Sequence, residues 1–176
     1  DNAQAVEIAK LGLLSHPNDP HLLNNIIYSL CVQNKVGEAQ QYLKDVKRED
    51  LNSVTLSGIC LTATRGLLAF RSKDFNIGRQ VYLEAIELAK SEKNSYLSSL
   101  AYINYVREEI IANELDVSEA IPQLISISKA YKGKDIAHDA EEVINFFKKQ
   151  QSLFVVLFIK EIIEELIITY TFCIIY

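Results

Sequence analysis

Three groups of side chains lie close enough in sequence to do chemistry together. His16 and His21 flank the turn Pro17-Asn18-Asp19-Pro20, and imidazole nitrogens beside a carboxylate are ligands for a zinc-type ion. A tetrahedral site needs two more donors and Asp19 is the only obvious one, so a solvated turn is the expected reading. Glu108 and Glu109 offer an acid and a base. Adjacent helical residues point about 100 degrees apart, however, which splits such a pair and favours an exposed charged stripe. Ser57, Cys60 and Thr64 are nucleophile types with no histidine in sequence reach. The sequence also has no H-E-x-x-H, no glycine-rich phosphate loop, no G-x-S-x-G elbow and no close cysteine pair. No catalytic residue, metal ligand or cofactor is expected, and the chain reads as non-enzymatic.

Composition narrows the classes further. The chain has 176 residues, 49% of them hydrophobic and 23% charged, enough for one compact domain or a short helical array. Its net charge is -5, with 18 basic residues scattered among 23 acidic ones. Phosphate contacts need clustered Lys and Arg, so nucleic acid is not an expected partner. Cys31, Cys60 and Cys173 are far apart inside apolar helical patterns and read as buried free thiols. There is no N-x-S/T sequon and no charged-then-apolar leader, which makes the cytoplasm the expected compartment. The chain contains no Met, even at position 1, and is expected to be a piece of a longer protein.

The elements that would carry these residues are helices. Only six Gly and three Pro interrupt the chain. Apolar residues recur at three- and four-residue spacing over Ala3 to Ser15, His21 to Gln33, Val36 to Lys47, Val54 to Arg71, Asn76 to Lys90, Tyr96 to Asn113, Val117 to Lys132 and Ile136 to Gln150. The breaks between them carry Pro, Asn, Asp and Gly, the residues of chain reversal. Antiparallel helices joined this way form either a closed bundle or an open solenoid.

Internal similarity favours the solenoid. NNIIYSL, from Asn24, with NKVGEAQQYLKDV, from Asn34, and RGLLAFRSKDFNIGRQVYLEAIEL, from Arg65, share the layout helix, tight polar turn, helix. In the second stretch Gly66, Gly78 and Ala85 are small where Phe75 and Tyr82 are large. In the first, Ala39 is small among Leu30, Val36 and Leu43. These stretches resemble the tetratricopeptide repeat, whose paired helices cross at small residues with large ones between. The resemblance covers about residues 1–131 and implies an all-α, right-handed superhelical solenoid of antiparallel helix pairs. AVEIAKLGLLSHPNDP, from Ala5, looks like the second helix and linker of a preceding repeat, so the chain is expected to open mid-repeat. Ala5, Ala39 and Gly78 are spaced by 34 and 39 positions against the family's period of about 34, which places an insertion near Arg48 to Ser53. The third repeat is irregular, with an overlong helix from Tyr96 to Asn113.

In that family the first helix of each pair lines a concave groove. Carried over, this puts Asn24, Tyr28, Leu67, Phe70, Arg71, Tyr102, Tyr105 and Glu109 among the groove residues, alongside His21, Cys31 and Ala63. Family members that clamp acidic chaperone tails present Lys, Asn and Arg at positions that here read Asn24, Tyr28, Ala63 and Leu67, so that guest is not expected. A mixed aromatic and amide groove suits a protein or peptide partner with apolar side chains of its own.

Residues 1–150 are thus expected to form the repeat domain and residues 151–176 a distinct apolar helix or tail, capping or self-associating. Ser152 to Tyr176 is apolar except for Lys160, Glu161, Glu164 and Glu165 at its middle. Those charges would sit near a bilayer centre at about 2.5 to 3.5 kcal/mol each, which argues against a membrane span. Such a helix needs cover, and Phe154, Phe158, Ile162 and Ile163 are the candidates for contact with a second copy of the chain. A strand from Ile167 to Tyr176 is an alternative. The function expected is a scaffold or adaptor that holds a peptide or partner helix in its groove. The alternatives are a module self-associating through residues 152–176 and the regulatory part of a larger enzyme.

Overall fold

The computed structural model describes residues 2–51, 53–113 and 116–175, without the side chains of 161 and 164–175. Among the described residues the chain is all-α, with eight α-helices and no strand. The contacts divide it into two units, Asp1–Ala120 and Ile121–Tyr176.

The first unit holds α1 (Asn2–Ser15), α2 (Pro20–Val32), α3 (Val36–Lys44), α4 (Leu56–Arg71), α5 (Phe75–Ser91) and α6 (Ser95–Ala112), followed by a 3-10 turn at Ser118–Ala120. Neighbours in sequence pack on one another, and α2 also packs on α4 and α4 on α6. In this unit α2, α4 and α6 therefore form a continuous row. Against it, α3 packs on α2 and α4, and α5 on α4 and α6. The core holds Leu23, Ile26, Ile27 and Leu30 of α2 together with Leu61, Leu67, Leu68 and Phe70 of α4 and Tyr82 of α5.

Glycine sets how closely α4 and α5 approach. A methyl group at Gly66 would stand 2.7 Å from the Tyr82 ring, and one at Gly78 would stand 2.5 Å from the Phe70 ring. Both rings are buried, so neither can step aside. Of the small positions expected from the sequence, Gly66 thus meets the expected large residue Tyr82, while Gly78 meets Phe70, a ring not among the expected large positions.

Helix starts and stops follow local chemistry. The Asp19 carboxylate accepts the backbone N–H groups of His21 and Leu22 at 2.9 and 3.0 Å, and Pro20 fills the first helical position of α2, where no N–H is needed. Thr55 caps α4 and Asn94 caps α6 in the same way. Three connections share one geometry, in which the N–H groups of Lys35, Asp74 and Asn94 bond the carbonyls of Leu30, Ala69 and Ala89. Each turns on a left-handed residue, Asn34, Lys73 or Lys93. In the connection between α3 and α4, Val46 and Leu51 pack against the core.

The second unit is a helical hairpin, α7 (Ile121–Ala130) on α8 (Asp135–Ile175), turned at Gly133 with a φ of 82°. Two expectations are corrected here. The segment Val117 to Lys132 is not one helix: Pro122 has no N–H to bond a carbonyl one turn back, so α7 starts at Ile121 after the 3-10 turn. The final segment is not a strand, because the backbone of α8 continues helical through Gln150 to Ile175.

Candidate functional site

A cleft of about 320 Å³ opens in the first unit beside α6. Tyr102, Tyr105, Val106 and Glu109 line it from the helix, one and two turns apart on one face. Asp116, Val117, Glu119 and Ala120 close it from the 3-10 turn and the two residues before it. The Asp116 carboxylate accepts the Ser118 N–H at 2.8 Å, and this bond holds its carboxyl below the usual range. Tyr102, Tyr105 and Glu109, three of the candidate groove residues, thus line one cleft.

The floor of this cleft is anchored. The Tyr105 ring lies 6.4 Å from Phe70 and 5.9 Å from Tyr82, and Phe70 also meets Phe75 at 6.0 Å. Burial first, and then the hydrogen-bonded Glu109 carboxylate, push the Tyr105 hydroxyl up to about 12. Burial also raises Tyr102. Glu109, only 1% exposed, is held from two directions by one guanidinium: Arg79 Nε donates to Oε1 at 2.7 Å and Nη2 to Oε2 at 3.0 Å. Next to it, buried Glu108 accepts from Arg71 Nη2 at 2.8 Å. Burial pushes the Glu108 carboxyl up against the opposing pull of Arg71.

Glu108 and Glu109 are therefore not the exposed stripe expected from sequence. Each is buried and paired with an arginine on α4 or α5, because a carboxylate taken out of water needs a counter-charge. Leu67 and Phe70 differ from expectation too: both are core residues, 4% exposed. Asn24 is half-buried and accepts the Thr64 hydroxyl at 2.8 Å, linking α2 to α4. Tyr28 remains open at 38%. Arg71 is spent on Glu108.

Asp19 is the α2 cap, and His16 and His21 are exposed beside it. Among the described residues the donor atoms that meet metal spacing belong to His138, Asp139 and Glu142, within 4.8 Å on an exposed turn of α8. His138 Nδ1 lies 3.7 Å from Glu142 there, the spacing of an i,i+4 pair. Burial pushes the Cys31 thiol up to about 12 and raises Cys60, which leaves little thiolate. The side chain of Cys173 lies outside those described.

On α8, Phe154, Phe158, Ile162 and Ile163 are all exposed, Phe154 at 70%, and the two phenylalanines fall within a run of exposed apolar residues from Leu153 to Ile159. Among the described residues no helix is long and apolar enough to cross a membrane.

Compared with protein-family models, curated proteins and solved structures, the chain finds no match.

Proposed function

We propose that the chain is a non-enzymatic interaction scaffold of tetratricopeptide type, which holds a peptide or helix of a partner protein against the row of α2, α4 and α6 at the Tyr102–Tyr105 cleft. The observation that carries this reading is the cleft itself, with two half-buried tyrosines on one face of α6. Tyrosine gives large contact area and a polar tip at small entropic cost, which suits an anchor position in an interface. The row α2, α4, α6 supports the repeat reading, since first helices stack side by side in such solenoids. The cytoplasm is the compartment proposed with it.

The test uses peptides selected by display on the immobilised protein and titrated calorimetrically. Tyr102 is the residue to change, since Tyr105 also packs in the aromatic cluster. Tyr102→Ala should weaken the selected peptides by about tenfold or more, the weight of an interface anchor, with helical circular dichroism unchanged. Equal affinity would remove the cleft from the function.

A second reading has its own observation. The exposed apolar run on α8 covers every face of two helical turns, which water tolerates poorly. Self-association there predicts that truncation after Gln150 lowers the mass seen by analytical ultracentrifugation. A full chain already monomeric at the same concentration would end it.

A further inference from the structure

The cleft has an uneven charge. Of its three carboxylates, Glu109 is matched by Arg79, while Asp116 accepts a backbone N–H and Glu119 stands exposed at the rim. None of the described lining residues is Lys or Arg. An anionic guest would meet this acidic rim. A purely apolar one would strip water from Asp116 and Glu119 and return no hydrogen bond.

The cleft's aromatic walls point independently to the same guest. Tyr102 and Tyr105 are aromatic lining residues, and Tyr105 is fixed against Phe70 and Tyr82, so that wall need not order itself on binding. A volume of about 320 Å³ stands at the lower end of the range for ligand sites, roughly 300 to 1,000 Å³, and matches one long side chain rather than a large ligand.

We infer that this cleft selects a cationic side chain of the partner segment, arginine above lysine, stacked on Tyr102 and Tyr105 and bonded to Asp116 and Glu119. The inference rests on the peptide-binding reading above and names the chemistry its guest must carry. Arginine is preferred because a guanidinium is planar and weakly hydrated: it stacks on a tyrosine face while its edge donates to carboxylates. Ammonium is held more strongly by water and offers no flat face.

The experiment titrates the isotope-labelled full chain with N-acetylarginine amide, its lysine counterpart and its neutral citrulline counterpart, following amide shifts. Arginine amide should shift Tyr102, Tyr105, Val117 and Ala120, with citrulline about tenfold weaker and lysine between them. Glu119→Gln, an exposed position that leaves the fold alone, should weaken arginine amide by a few-fold and leave citrulline unchanged. Equal shifts from arginine and citrulline would overturn the cationic selection while keeping the cleft as a binding site. Shifts from neither would overturn it as well, and the display-selected peptides in a parallel titration then show whether the cleft binds peptides at all.

Discussion

At Gly78 a hydrogen atom fills the available space, because a methyl there would press 2.5 Å from the Phe70 ring. Alanine is the better helix former by about 1 kcal/mol, while overpacking a closed core costs about 1–3 kcal/mol, so the steric term wins. Gly78→Ala should lower stability by up to about 2 kcal/mol in urea unfolding. Gly37→Ala, with nothing within 4 Å of its added methyl, should raise it by a few tenths. If the two changes act alike, the α4–α5 crossing is not as close as described. Residues of this kind were legible in the sequence because small and large side chains alternate within one stretch. The pairs Arg71–Glu108 and Arg79–Glu109 were not legible: their partners stand 37 and 30 positions apart, and only packing of α4 and α5 beside α6 brings them together. Leu67 and Phe70 were misplaced for a related reason. Helical periodicity marks an apolar stripe and does not say which neighbour covers it.

Among elements, the helices were legible where turn residues mark their ends, as at Pro17-Asn18-Asp19-Pro20. The connections between α1 and α6 follow the expected breaks, except that α3 ends at Lys44 rather than Lys47. What periodicity could not locate was the start of α7, which depends on the missing N–H of Pro122, and the continuity of α8, whose sequence changes character at Ser152 without a helix breaker. The turns themselves store some strain. Lys73 and Lys93 take left-handed angles of 65° and 55°, where a Cβ costs about 1 kcal/mol and glycine has none. Lys93→Gly should therefore stabilise the chain by about 0.5–1 kcal/mol, less what glycine loses to greater freedom when unfolded. A rise of about 2 °C in the unfolding temperature is the expected result, and a fall would contradict the left-handed assignment.

For the molecule as a whole, buried phenols and a buried thiol tie stability to alkaline pH. Burial raises Tyr82 well above its ordinary value and Tyr105 and Cys31 to about 12, against 10.0 and 9.0 when unfolded. Between about pH 9 and 12 the unfolded chain has released protons that the folded chain keeps, so the equilibrium moves toward unfolding as pH rises. The contribution of these groups is complete below pH 9 and is lost through pH 12. The urea midpoint should be flat from neutrality to about pH 9 and fall above it, and Tyr105→Phe should reduce the fall. A midpoint that climbs over that interval would contradict the burial of these groups.

The function stands on a guest occupying the cleft beside α6. The most direct measurement maps a display-selected peptide onto the labelled chain by amide shift perturbation. The account expects the shifts to gather on Tyr102, Tyr105, Val106, Val117 and Ala120. Shifts gathered instead on Leu153 to Ile163 of α8, or spread over the chain with the cleft untouched, would contradict it.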